Sequence, residues 1–434
     1  MRSAMLSFVS RAVLLSKHVP RVIYPVQRAA LTIPTVAPTV DKKDRCVVVN
    51  WSSEKSEWSK YHFPWLRDNC QCSLCRDSNF SQRLLNTLED ATPADVRIPD
   101  DESGSVEVEW ADGHCSQFSY DWLLTNSYCH NKVLTPKRTR EVTLWDSSIK
   151  DNPPKMKYGD IMQDDNQSLL ALLRNLYQYG FTLVEDTPPR PETMEAVGKR
   201  IGAISNNFFG ALWFMEAGNM TVTHMSYGEK KIAPHNDMMG FNDTPGLFFF
   251  HVYELEGEGT DSLLIDSFRL ASEVKKHNME YFDLLSKVSL TYTNKYSETR
   301  DGVLHNGIYE EYPTTFTVDR NGEVVKIRLS QADRKPMDSI ALAQAMKVLS
   351  CDADEAMDKM YKALRYLHSL IYDPKYMYKF RLKPGTLMLC DNHRLLHGRD
   401  EFTKGMGRRK ACGLYVSQDE WHAKMKLLES ELLD

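Results

Sequence analysis

The stretch MYKFRLKPGTLMLCD, residues 377–391, reads as two short strands about a Pro384-Gly385 turn, and it runs directly into DNHRLLHGR, residues 391–399, which carries His393 and His397. Pro presets the turn backbone and Gly accepts the positive φ that turns demand, so the apolar runs on either side are strand candidates. Working outward, the same signature recurs in GLFFFHVYEL (246–255), in SLLIDSF (262–268), about Asn321-Gly322 in TTFTVDRNGEVVKIRLS (314–330), and in RKACGLYVS (409–417). Such runs must pair by non-local returns. Helical spacing is confined to 339–350, 354–371 and 418–432, and to SLLALLRNLYQY (168–179), which ends at Gly180 before the strand-like Phe181-Thr182-Leu183-Val184. The expected fold is therefore mainly β with helical insertions, with a jelly roll, or double-stranded β-helix, as its catalytic domain.

Upstream the pattern changes. Residues 45–130 alternate short apolar runs with polar breaks, as in Val106-Glu107-Val108-Glu109-Trp110, which points to a separate small β-rich unit over 41–135. A polar, Pro-containing stretch that includes KDNPPKMKYGD makes 136–160 a linker and leaves 161–434 for the larger domain. Residues 1–40 hold Arg2, Arg11, Lys17, Arg21 and Arg28 but no Asp or Glu, which fits a mitochondrial transit peptide and a matrix location; a disordered basic tail on a cytoplasmic protein is the competing reading.

Apolar residues at 42% and charged residues at 26% are ordinary globular values, so the chain can bury a core. A net charge of -5 offers no basic field for nucleic acid. No apolar stretch approaches the roughly 20 residues that span a bilayer.

Two clusters carry chemistry. His235-Asn236-Asp237 puts an imidazole and a carboxylate at i and i+2, on one face of an extended segment. Two imidazoles and a carboxylate on one side of a metal leave positions open for cosubstrate and dioxygen, the arrangement of non-haem iron(II) oxygenases. By itself this spacing more often marks a satisfied His-Asp pair than a metal site. The segment 391–399 supplies the second imidazole, from His393 or His397, and Arg409 follows as a cation for an anionic cosubstrate. Separately, Cys70, Cys72 and Cys75 crowd one loop, and His114 follows a strand-like run; three thiolates and one imidazole make a closed tetrahedral zinc site that would staple a small domain. Free or redox-active thiols are the alternative, and Cys115 is the expected unliganded neighbour.

Through WLRDNCQCSLC, WADGHCSQFSYDWL, APHNDMMGF, LLIDSF and LKPGTLMLCDNHRLLHGRDEF, the sequence from about residue 45 to about 420 resembles the γ-butyrobetaine and trimethyllysine hydroxylases of carnitine biosynthesis. The resemblance implies an iron(II)- and 2-oxoglutarate-dependent oxygenase with ligands His235, Asp237 and His397. His393 is left off the metal, because tryptophan stands there in the relatives. It further implies Arg409 and Ser262 on the oxoglutarate carboxylate, structural zinc on Cys70, Cys72, Cys75 and His114, dioxygen as cosubstrate, ascorbate as reductant and a homodimer. The family's aromatic cage for a trimethylammonium group falls on Phe209, Trp213, Met225 and Tyr415. Phe209 and Met225 replace tyrosines, and Tyr227 or Phe214 could make good the face that Met225 lacks. Ser330 and Gln331 stand where relatives carry an Asn-Asn pair for the substrate carboxylate. Hydroxylation of γ-butyrobetaine to L-carnitine is the expected activity; N6-trimethyllysine, another small cationic substrate, and a catalytically silent metal-binding module are the alternatives.

Overall fold

The computed structural model describes residues 38–52, 57–77, 82–84, 92–99, 103–130, 142–163, 165–217, 231–256, 261–300, 303–401 and 409–432. The expected leader lies outside them up to residue 37, and Met225 and Tyr227 lie outside them as well. The chain divides into two compact units, Met1–Thr139 and Arg140–Asp434.

The first unit consists of two three-stranded antiparallel sheets. One joins β1 (Thr39–Lys42), β2 (Cys46–Asn50) and β3 (Trp58–His62); the other joins β4 (Pro93–Arg97), β5 (Ser105–Trp110) and β6 (Cys115–Ser119). Helices α1 (Phe63–Asp68) and α2 (Tyr120–Thr125) follow β3 and β6. Alternation sets the core: Val47 and Val49 from β2 pack with Val106, Val108 and Trp110 from β5, together with Phe118 and Leu123.

In the second unit, Trp145 is buried and its indole donates to Tyr179 O at 2.7 Å. The stretch expected to be a linker is thus packed on this unit from residue 142 onward, because Trp145 has a hydrophobic slot beside Phe181. The strands are β7 (Lys155–Lys157), β8 (Phe181–Glu185), β9 (Trp213–Ala217), β10 (Ile232–His235), β11 (Leu247–Leu255), β12 (Ser262–Asp266), β13 (Tyr292–Arg300), β14 (Val303–Glu311), β15 (Phe316–Val318), β16 (Val324–Ile327), β17 (Met377–Phe380), β18 (Thr386–Asp391), β19 (Leu395–Arg399) and β20 (Arg409–Val416). A six-stranded sheet runs β7-β8-β18-β11-β20-β9 and a four-stranded sheet β10-β19-β12-β17; β13 and β14 form a separate ribbon. The helices are α3 (Tyr158–Ile161), α4 (Asn166–Tyr179), α5 (Pro191–Ile201), α6 (Ser267–His277), α7 (Met279–Lys287), α8 (Ser339–Leu349), α9 (Ala353–Ile371) and α10 (Gln418–Leu432).

The period-two pattern explains the layers. Along β11, Phe248 and Phe250 face inward to meet Leu264 of β12 and Leu395 of β19, whereas Leu247 and Phe249 face outward onto α4, α5 and α10. On the smaller sheet, Leu263 and Ile265 turn outward onto the helices α6 to α9. Two sheets with their inner faces together and helices on both outer faces make the expected jelly roll, with more helix than the sequence reading allowed. SLLIDSF is strand only to Asp266. There the Asp266 carboxylate accepts from Phe268 N at 3.2 Å and caps α6. No helix among the described residues is long and apolar enough to cross a membrane.

Candidate active site

Strand β10 pairs with β19 so that His235 stands opposite His397, and their ring centroids lie 4.5 Å apart. His235 Nε2 is 3.3 Å and His397 Nε2 3.5 Å from Asp237 Oδ1, and one ligand atom from each of the three lies within 4.8 Å of the others. His235 Nδ1 lies 2.9 Å from Ala233 O. Because a carbonyl only accepts, Nδ1 carries a proton there, which leaves Nε2 as the ring nitrogen that faces the cluster. Burial alone would push the Asp237 carboxyl up, but the imidazoles of His397 and His235 outweigh it and hold it well below the usual carboxylate range. Two imidazoles and one ionised carboxylate converging on a point are a donor set suited to iron(II).

What fixes the cluster was not visible in the residue spacing. Asn236, fully buried between the two ligands, donates from Nδ2 to Asn392 O at 2.7 Å and to Leu395 O at 2.9 Å. Asn392 answers by accepting from Asp237 N at 2.8 Å. Met238 then turns the chain sharply at φ 61°. His393 points elsewhere: its Nε2 lies 3.0 Å from Thr244 Oγ1, and it is outside the cluster.

The cluster forms part of the wall of a cavity of about 120 Å³, whose lining includes Phe209, Trp213, Phe248, Ser262, Tyr296, Arg399, Arg409 and Tyr415. Arg409 and Arg399 are 4% and 5% exposed, and Ser262, paired with Arg399 across β12 and β19, is 6% exposed. Burial, aided by neighbouring Arg399, pushes the Arg409 guanidinium down to about 9. Burial pushes Arg399 down to about 10. Both remain cationic at neutral pH, and the guanidinium of Arg409 lies 5.4 Å over the Phe250 ring. Two buried cations beside a hydroxyl make an end of the cavity that favours a carboxylate. Arg409 is expected from the sequence and Ser262 from the family resemblance. Arg399 was missed, although its place two residues beyond His397 on one strand was the available signal.

The aromatic wall is equally built by register. Trp213 of β9 pairs with Gly413 of β20, where an added Cβ would come within 2.0 Å of the indole, so only glycine lets the ring lie there. Trp213 and Tyr415 rings lie 6.1 Å apart, and Tyr415 hydroxyl donates to Asp237 Oδ2 at 3.0 Å. Phe214, next along β9, is 51% exposed and turned from the cavity, which removes it as the substitute face. Ser330 and Gln331 are not in the lining. Ser330 is buried, and the Gln331 side chain accepts from Arg334 at 3.2 Å. Tyr296, on the ribbon that the sequence reading overlooked, does line the cavity.

In the first unit the Ala111-Asp112-Gly113 turn between β5 and β6, with Gly113 at φ 81° and Asp112 Oδ1 accepting from His114 N at 2.9 Å, aims His114 at the cysteine loop. His114 Nε2 lies 3.3 Å from Cys70 Sγ, 3.6 Å from Cys72 Sγ and 3.5 Å from Cys75 Sγ. All four can share one ion.

Residues 139–415 match the family model described as taurine catabolism dioxygenase TauD, TfdA family, and residues 39–124 match gamma-butyrobetaine hydroxylase-like, N-terminal. The chain is 28% identical to the trimethyllysine dioxygenase of Meyerozyma guilliermondii, over 88% of this chain and 93% of that protein. It is 30% identical to the mitochondrial trimethyllysine dioxygenase of Mus musculus, over 83% and 81%. It is 27% identical to the gamma-butyrobetaine dioxygenase of a Pseudomonas strain, over 92% and 98%.

Proposed function

The chain belongs to the TauD, TfdA family, among the trimethyllysine and γ-butyrobetaine dioxygenases, and is a 2-oxoglutarate-dependent dioxygenase; on that premise we propose that it hydroxylates a small trimethylammonium amino acid or betaine of carnitine synthesis. The observation that carries this reading is one cavity whose lining combines the His-Asp-His cluster, two buried guanidinium groups and several aromatic rings. Family membership implies iron, 2-oxoglutarate and dioxygen; a silent binding module is not favoured.

In this reading His235, Asp237 and His397 hold iron(II). When bound, the metal supplies the redox chemistry that couples oxoglutarate decarboxylation to oxygen insertion at a C–H bond. Arg409 and Ser262 bind the far carboxylate of oxoglutarate, and Arg399 adds a second positive charge there. Phe209, Trp213 and Tyr415 exclude water and offer ring faces to a cation that has no hydrogen to donate. Cys70, Cys72, Cys75 and His114 hold a structural zinc. The acid-free leader, together with the mitochondrial designation of the Mus musculus relative, supports the mitochondrial matrix as its location.

The test is succinate formation by the purified, iron-loaded chain with oxoglutarate and either γ-butyrobetaine, N6-trimethyllysine or their unmethylated analogues. Turnover stimulated by one methylated compound and lost in His235→Ala is expected, and the preferred compound assigns the step. Equal turnover with unmethylated analogues would overturn the substrate class.

A further inference from the structure

We propose that Tyr296 is an aromatic wall of the trimethylammonium pocket, held there by the docking of the β13–β14 ribbon on the loop that follows Asp237. This rests on the function proposed above. An isolated two-stranded ribbon is marginal in water, so this one must be held by what it touches. Along β13, Asn294 and Tyr296 lie on one face and are buried, while the intervening Lys295 is exposed. Opposite Tyr296 in the register stands Gly307, whose missing side chain leaves room for the Tyr309 ring, 3.1 Å from where a Cβ would be, and the Tyr296 and Tyr309 rings pack with centroids 6.0 Å apart.

The docking is specific. Gly240 N, three residues from Asp237, donates to Asn294 Oδ1 at 2.7 Å. A Cβ on Gly240 would fall 2.5 Å from Tyr309 O and 2.8 Å from Asn294 N, which leaves glycine as the residue that permits this approach. Next to it, Phe241 stacks on Tyr309 with centroids 3.9 Å apart and planes 15° from parallel. The loop that carries the metal-cluster carboxylate and the strand that carries Tyr296 are therefore one packed body.

In the cavity, Tyr296 meets Phe209 edge-on at 5.0 Å. Tyr296 lines the same cavity as His235, Asp237 and His397, and burial, with the negative charge of Asp237 added, pushes its phenol up, so the ring stays neutral. A quaternary ammonium is stabilised by the ring quadrupole, and the hydroxyl is dispensable to that. Tyr296 thus supplies the cavity with a further aromatic ring beside Phe209, Trp213 and Tyr415.

The experiment compares wild type, Tyr296→Phe and Tyr296→Leu in oxoglutarate turnover stimulated by the preferred trimethylated substrate and by its dimethylated, protonated analogue. Expected are a KM for the trimethylated substrate unchanged within about twofold in Tyr296→Phe and raised about tenfold in Tyr296→Leu, as a lost cation–π contact predicts. In Tyr296→Leu, kcat should be nearly constant and the preference over the dimethylated analogue lost. Should Tyr296→Leu fail to fold, phenylalanines of increasing ring fluorination at 296 keep the shape while weakening the quadrupole, and KM should climb with each fluorine. An unaltered KM in Tyr296→Leu, a flat fluorination series, or Tyr296→Phe as impaired as Tyr296→Leu would overturn the proposal. A wild type that no trimethylated substrate stimulates would sink the proposed function itself, and this inference with it.

Discussion

The Tyr415 hydroxyl donates to Asp237 Oδ2 while Asp237 Oδ1 faces both His235 and His397, so one residue of the aromatic wall also orients a carboxylate of the metal cluster. Removing only the hydroxyl separates the two duties. Tyr415→Phe keeps the ring, so the preference for a trimethylated over an unmethylated substrate should persist. Iron(II) affinity should fall by roughly tenfold or more, the usual effect of losing a partner that orients a ligand. An iron(II) titration of oxoglutarate turnover reads the first quantity against the second. Unchanged affinity would mean that Asp237 is positioned without Tyr415.

Much of this site was legible because strands announce themselves by alternation and the Pro384-Gly385 and Asn321-Gly322 turns by residue type. The ligand pair at 235 and 237, the cation at 409 and the thiol cluster at 70, 72 and 75 all lie within local spacing. What escaped depends on contacts between distant segments. Asp266 was a readable cap for α6, yet the apolar run through Phe268 masked it. The ribbon carried Asp301-Gly302 between two alternating runs, a hairpin signal that was passed over. That Tyr296 reaches the cavity depends on Gly240 meeting Asn294 across the fold, and no local pattern encodes that.

Arg394, three residues before His397, is buried against Asp266 in a two-point pair, Nε to Oδ1 at 3.0 Å and Nη2 to Oδ2 at 2.7 Å. It also donates to the carbonyls of Thr143 and Gln178, which ties the Trp145 segment and α4 to the sheet. Arg394→Met would leave Asp266 as a buried charge, and a loss of roughly 3–5 kcal/mol is expected in denaturant unfolding. The double variant with Asp266→Asn should recover part of that loss. Recovery of nothing would show that the carbonyl contacts, and not the ion pair, hold the region.

If zinc occupies the Cys70, Cys72, Cys75 and His114 cluster, the purified chain should retain zinc through dialysis at close to a single ion per chain, and Cys75→Ser should release it. Loss of the metal should lower the unfolding temperature of the first unit, whose small cores cannot replace a closed tetrahedral site. Mass-spectrometric metal analysis of wild type and variant decides it. Full zinc retention in Cys75→Ser would remove Cys75 from the ligand set.

His251 is fully buried on β11, and neither of its ring nitrogens has a hydrogen-bond partner among the described residues. Burial pushes its imidazole down to about 4, below the value near 6.5 expected in the unfolded chain. Between those values the unfolded chain binds the proton and the folded one does not. The contribution is therefore fully present above about pH 6.5 and is lost as pH falls toward 4, an effect of about 3 kcal/mol. His393, pushed by burial down to about 3, acts in the same direction and is unaffected by a change at 251. His251→Leu should thus flatten, without abolishing, the decline in stability on acidification. At neutral pH it should add about 1–2 kcal/mol, because an unsatisfied buried polar group gives way to an apolar one. Denaturant unfolding of both proteins at pH 7.5 and pH 5 measures each effect. Parallel pH profiles would show that His251 is already protonated, or partnered, inside the fold.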